Sequence, residues 1–180
     1  LNYWGGSGSK PNFDRSLLGL SNMVENLKFE NCELKEDVVA SLLSNKNLIL
    51  TNVPEVDDIN NMLTLLKGYG TKLKIHKDSI ILNSDNIKNI SADYDIVRKM
   101  RASVLILGPL LSRFGYSKIS LPGGCAIGTR PIDIHLRGLS KLGAKFKIEN
   151  GFIFGQVKSK LRGNKIKLPF PSVGATENIL

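Results

Sequence analysis

The chain has 180 residues, is 42% hydrophobic and 23% charged, and carries a formal net charge of +9. That is ordinary for a soluble globular protein with one sizeable core or two small ones. No apolar run approaches the roughly 20 residues needed to cross a bilayer, and LNYWGGSGSK at the start lacks the basic-then-apolar order of a secretory leader. Cys32 and Cys125 are too few for a disulfide framework at this size, so a reducing, cytoplasmic setting is expected.

Residues 1–26 read as an atypical extension or linker: GGSGSKPN is linker-like, and FDRSLLGLSNMVENL suits a short amphipathic helix. From Leu27 to Leu168 the chain repeats itself. In the first copy, EDVVASLLSN predicts a helix and NLILTNVP a strand ending near a proline. INNMLTLLKGYG then places Ile59, Met62, Leu63 and Leu66 at helical spacing, with Gly70 as a left-handed C-cap. TKLKIHKDSIIL predicts a hairpin with Leu73, Ile75, Ile80 and Leu82 in strand settings.

The second copy repeats the order. DIVRKMRASVLILGPLLSRFG predicts a helix and SKISLPGG a strand. IDIHLRGLSKLGAKFKI then aligns without a gap on residues 59–75, Ile59 falling on Ile132, Leu66 on Leu139, Gly70 on Gly143 and Ile75 on Ile148. Phe146, Ile148, Phe152 and Phe154 line the hairpin that follows, and Asn150-Gly151 predicts its type I′ turn. The expected unit is βαβαββ, spanning about 27–90 and 91–168. PSVGATENIL reads as the opening helix of a third unit (169–180), cut off at Leu180.

A mild basic concentration lies between Lys141 and Lys167, including Lys145, Lys147, Lys158, Lys160, Arg162 and Lys165. It carries no RNA-binding signature and no zinc-finger spacing. The expectation is no nucleic-acid partner, but a solvated face or a site for a phosphorylated small molecule.

SLPGGCAIGTRPID, residues 120–133, carries the chemistry. Cys125 lies five residues from Arg130, and a guanidinium stabilises a thiolate. Gly123, Gly124 and Gly128 allow a ligand to approach closely, and a helix beginning near Pro131 attracts an anion. Local chemistry leaves two readings open, a reactive thiol or a buried cysteine under a glycine turn.

LPGGCAIGTRPIDIHLRGLSKLGA (121–144) closely resembles the active-site segment of the enolpyruvyl transferase family, in the branch that acts on UDP-N-acetylglucosamine. The resemblance extends through residues 92–115, 52–70 and SVGAT at 172–176, and covers about 40–180. It implies an α/β (α+β) fold of two domains, each of three βαβαββ units, with the site in the cleft between them. This chain then corresponds to a partial domain with its third unit truncated and the second domain missing.

The implied reaction moves the enolpyruvyl group of phosphoenolpyruvate to the 3′-hydroxyl of UDP-N-acetylglucosamine, releases phosphate, commits material to peptidoglycan, and uses no metal or organic cofactor. By position, the resemblance makes Cys125 the thiol that protonates or adds to phosphoenolpyruvate, and the target of fosfomycin. It assigns Arg130 to phosphate or carboxylate, and the run Arg130, Pro131, Ile132, Asp133 and Ile134 to the UDP-sugar. Arg101 falls on the nucleotide-sugar side, and Ser172, Val173 and Gly174 at the uridine diphosphate.

The sequence departs from the family in two places. A Lys-Asn pair that contacts both substrates maps onto Asn31 and Cys32, while SGSKPN at 7–12 lies about twenty residues too early. A lysine before Ser172 is replaced by Phe170-Pro171. The alternative expectation is therefore an inactive fragment, relic or chimera keeping part of the nucleotide-sugar site. No significant turnover is expected from these residues alone.

Overall fold

A computed structural model describes residues 26–29, 38–87, 97, 100–121 and 132–180. Strand β1 (Asn26–Phe29) runs parallel to β2 (Asn47–Thr51), with Leu27 beside Leu48. A parallel pair requires a crossover, and its described part is helical from Val38 into the 3-10 turn Ala40–Leu43. Val38, Val39 and Leu42 bury this turn against the core. The helix ends at Ser44, which is extended and whose Oγ accepts the N–H of Lys46 at 3.0 Å, turning the chain into β2.

Helix α1 (Asp57–Tyr69) carries Asp57 and Asp58 in its first turn and Lys67 in its last, matching the helix dipole at both ends. Ile59, Met62, Leu63 and Leu66 are buried as their spacing predicts. Gly70 caps the helix at φ 108°, a left-handed conformation. The hairpin β3 (Lys72–His76) and β4 (Ser79–Asn83) follows, with β4 between β2 and β3, so the sheet order is β1-β2-β4-β3.

The second repeat has the same layout. Among the described residues it comprises a 3-10 segment (Arg101–Ile106), α2 (Leu107–Phe114), β5 (Tyr116–Ser120), α3 (Asp133–Lys141), β6 (Ala144–Glu149) and β7 (Phe152–Val157). The order β5-β7-β6 repeats β2-β4-β3. Asn150 (φ 51°) and Gly151 (φ 78°) both take the left-handed conformation expected of the turn. Residues 1–25 and 88–96 lie outside the described residues.

One expected element differs. The continuous helix read over residues 95–115 is interrupted: Val97 is helical, Met100 is extended, and α geometry resumes only at Leu107. Pro109 lacks an N–H and its ring crowds the carbonyl four residues earlier. The α-helix therefore starts where Pro109 falls in the first turn, whose N–H groups have no intrahelical partner.

The two hairpins fill the same space differently. In the first sheet Leu82 pairs with Leu48 and Leu73. The corresponding row of the second is Gly155 between Ser117 and Phe146. A Cβ on Gly155 would stand 2.9 Å from Phe146 Cε1 and 2.6 Å from Ser117 Oγ, so the missing side chain makes room for the larger ring. Ile75 and Ile148, expected in strand settings, are strand residues at the hairpin ends and are 71% and 54% exposed.

The last element is α4 (Val173–Ile179), a helix where the sequence predicts one. Ser172 is its N-cap, with Oγ accepting the Ala175 N–H at 3.3 Å.

Candidate active site

Helices α3 and α4 lie against each other in the same direction. His135 meets Gly174 and Asn178, while a Cβ on Gly138 would run into the Ile179 side chain. The segment from Arg101 into α2 runs the same way, with Leu105 beside Gly174 and Gly108 bonded to Asn178. The N-terminal ends of all three therefore gather at one end of the fold. Those ends hold Arg101, the Ile132–Ile134 run and the Ser172–Gly174 run, which the sequence keeps up to about seventy residues apart. Cys125, Arg130 and Pro131, like Asn31 and Cys32, lie outside the described residues.

Asp133 opens α3, where a carboxylate is favoured by the free N–H groups of the first turn. Its Oδ2 pairs with Arg137 Nη2 one turn on, at 3.1 Å. Its Oδ1 is buried and has no hydrogen-bond partner among the described residues. A buried carboxylate oxygen is ordinarily matched by a donor, because leaving one unmatched is costly.

Ile132 is half-buried against the core and the Ile134 side chain is core, so Ile134 has only its main chain to offer a ligand. Ser172 already uses Oγ as an acceptor in capping α4. Val173 is 68% exposed, and Gly174 faces the His135 ring.

Sequence reasoning assigned no role to His135 or Asn178. Asn178 is 5% exposed and accepts from the Gly108 N–H through Oδ1 at 2.7 Å. Its Nδ2 donates to the Val104 carbonyl at 3.0 Å and lies 3.1 Å from His135 Nδ1. Burial pushes the His135 ring below the usual histidine range, and the nearby Asp133 carboxylate opposes that shift. The available signal was an amide breaking the apolar stripe of ATENIL.

The basic concentration occupies the other end of α3. Lys158, Lys160 and Arg162 join Leu142, Gly143 and Val157 around an open cavity of about 250 Å³. There the Arg162 N–H donates to the Leu142 carbonyl at 2.8 Å, and Asn164 Nδ2 to the Lys141 carbonyl at 3.0 Å. These contacts satisfy the free carbonyls of a helix C-terminus, and the cations complement its dipole. Among the described residues no cluster of three His, Cys, Asp or Glu could hold a metal, and no helix is long and apolar enough to cross a membrane.

The fold is that of solved enolpyruvyl transferases. The enolpyruvyl transferase NikO from Streptomyces tendae superposes with a TM-score of 0.59 at 13% identity, over 77% of this chain and 31% of that one. EPSP synthase from Acinetobacter baumannii also gives 0.59, at 16% identity, over 86% and 37%. The chain belongs to the EPSP synthase (3-phosphoshikimate 1-carboxyvinyltransferase) family, whose model matches residues 36–180.

Within that class its similarity is to proteins named UDP-N-acetylglucosamine 1-carboxyvinyltransferase. That of Gluconobacter oxydans is 51% identical over 143 residues, and that of Pelagibacter ubique 50%. Each match covers 79% of this chain and 34% of the relative. The chain thus spans about a third of the length of the curated relatives it matches.

Proposed function

We propose that this chain is part of an enzyme that transfers the enolpyruvyl group of phosphoenolpyruvate to the 3′-hydroxyl of UDP-N-acetylglucosamine, releasing phosphate, in cytoplasmic peptidoglycan synthesis. The observation that carries this reading is that three helical segments start at one end of the fold, one of them with Asp133, whose Oδ1 is buried and has no hydrogen-bond partner among the described residues. The relatives' names support the substrate class.

Asp133 Oδ1 takes a donor from the UDP-sugar, the main chain of Ile132 and Ile134 frames that ligand, and Arg101 serves the nucleotide-sugar side. The first turn of α4, from Ser172 through Val173 to Gly174, faces the diphosphate. Pro131 belongs to the same run that grips the UDP-sugar, and Arg130 supplies a fork of donors to a phosphate or carboxylate. Cys125 acts as the thiol that protonates or adds to phosphoenolpyruvate, and its alkylation by fosfomycin is the corresponding inhibition. The remaining acid–base and phosphate-binding groups belong to a second domain.

Calorimetric titration of the chain with UDP-N-acetylglucosamine tests the reading. Binding is expected, weakened at least about tenfold in Asp133→Ala, the effect of losing a hydrogen bond to a charged group. A folded chain that binds no nucleotide sugar overturns it. A second reading, an inactive relic that keeps only nucleotide-sugar binding, is favoured by Asn31 and Cys32 standing where the family has its Lys-Asn pair. Phosphate release from both substrates, measured on the chain completed by the second domain, separates the two.

A further inference from the structure

We propose that Asn178 fixes the tautomer of His135, so that the imidazole carries its proton on Nε2 and offers that N–H as a donor at the shared N-terminal end of α3 and α4. The orientation of the Asn178 amide is set by two main-chain groups with only one possible role each. The Gly108 N–H can only donate, so the atom it meets at 2.7 Å is the amide oxygen. The Val104 carbonyl can only accept, so the atom 3.0 Å from it is the amide nitrogen. Agreement between the two removes the usual ambiguity of an asparagine flip.

One hydrogen of Nδ2 goes to Val104, and the other points at His135 Nδ1, 3.1 Å away. A ring nitrogen that receives an N–H must present its lone pair, and a neutral imidazole has a single proton. That proton therefore sits on Nε2. Asn178 is buried and both hydrogens and the oxygen of its amide are engaged inside the protein, so it acts through His135 as a positioning residue.

The ring edge that carries Nε2 faces the start of α4. A Cβ on Gly174 would stand 3.5 Å from His135 Cε1 and 3.9 Å from Nε2. A neutral N–H donor there suits a phosphate oxygen, and the ligand class is a nucleoside diphosphate. That last step rests on the proposed function; the tautomer does not.

Long-range ¹H–¹⁵N spectra of the labelled chain read the ring directly, with His135→Gln assigning it against the second histidine, His76. The Nε2–H form is expected in the wild type. Asn178→Asp has no N–H to give and accepts from Nδ1 instead, so the proton is expected to move to Nδ1. An Nδ1–H ring in the wild type, or an unchanged ring in a folded Asn178→Asp, overturns the lock. On titration with UDP, His135 Nε2 and the Gly174 amide are both expected to shift. A shift at Gly174 alone overturns the donor role and leaves the proposed function standing. No shift at either overturns the donor role together with the nucleotide reading, while the wild-type spectrum judges the lock on its own.

Discussion

Arg113 Nη1 donates to the main-chain carbonyl of Ser84 at 2.7 Å, fastening α2 of the second repeat to the end of β4 in the first. The same nitrogen reaches the carbonyls of Ser44 at 2.8 Å and Leu42 at 3.1 Å. A terminal guanidinium nitrogen has two hydrogens, so one of them is shared. Burial pushes the guanidinium below its usual range, and Asp85 opposes that. Arg113→Ala strips three part-buried carbonyls of their donor and is expected to cost about 3 kcal/mol. The check is the urea midpoint, which should fall without a change in slope.

Tyr69 presents the opposite case. Its ring, at the end of α1, is fully buried, its hydroxyl finds no partner among the described residues, and burial drives its ionisation far upward. Tyr69→Phe removes an unmatched polar atom without changing the packing shape, and should stabilise the fold by about 1 kcal/mol. A destabilised variant would show that the hydroxyl is bonded after all.

Three glycine-to-alanine changes should rank by what the new methyl meets. At Gly108 it would stand 2.5 Å from the main-chain oxygen of Asn178, which cannot yield without moving α4. A loss of about 3 kcal/mol is expected. At Gly155 the nearest atoms belong to Ser117, Phe146 and Leu111 side chains, which can shift, so the loss should be smaller. At Gly68, in the last turn of α1, nothing lies within 4 Å, and alanine should add about 0.5–1 kcal/mol. Thermal melts of the three variants settle the order.

The burial of His135 ties stability to pH with a definite sign. Its folded-state value is depressed, so the unfolded chain binds the proton more readily. The stability it contributes is fully present above the ordinary histidine value of about 6.5 and is lost as pH falls through the lower folded value. Asp133, which favours the charged ring, reduces the effect. Between pH 7 and 5 the wild type should lose more stability than His135→Gln; equal losses would exclude the coupling.

What the sequence revealed follows the range of each interaction. The turn at Asn150-Gly151 and the cap at Gly70 depend on local backbone preferences, and the buried face of α1 on spacing alone. The break at Met100 was hidden because the apolar pattern runs on through RASVLILGPLL and overrides the warning of Pro109. The exchange of Leu73–Leu82 for Phe146–Gly155 is invisible until the strands are paired. Asn178 likewise gains meaning only when α4 meets Gly108 and His135, seventy and forty-three residues away. In the candidate site, the residue types of 132–134 and 172–174 were legible, but the buried oxygen of Asp133 required the packed helices.

The joint between strand and helix differs in length between the repeats. Residues 52–56 link β2 to α1, whereas 121–132 link β5 to α3, and the hairpins beyond keep equivalent registers. Loop-closure entropy rises by only about 0.6 kcal/mol per doubling of length, so the longer joint costs under about 1 kcal/mol. A joint at this point of the scaffold can thus lengthen almost without disturbing the frame. The short joint at 52–56 is the natural place for an engineer to graft a longer loop.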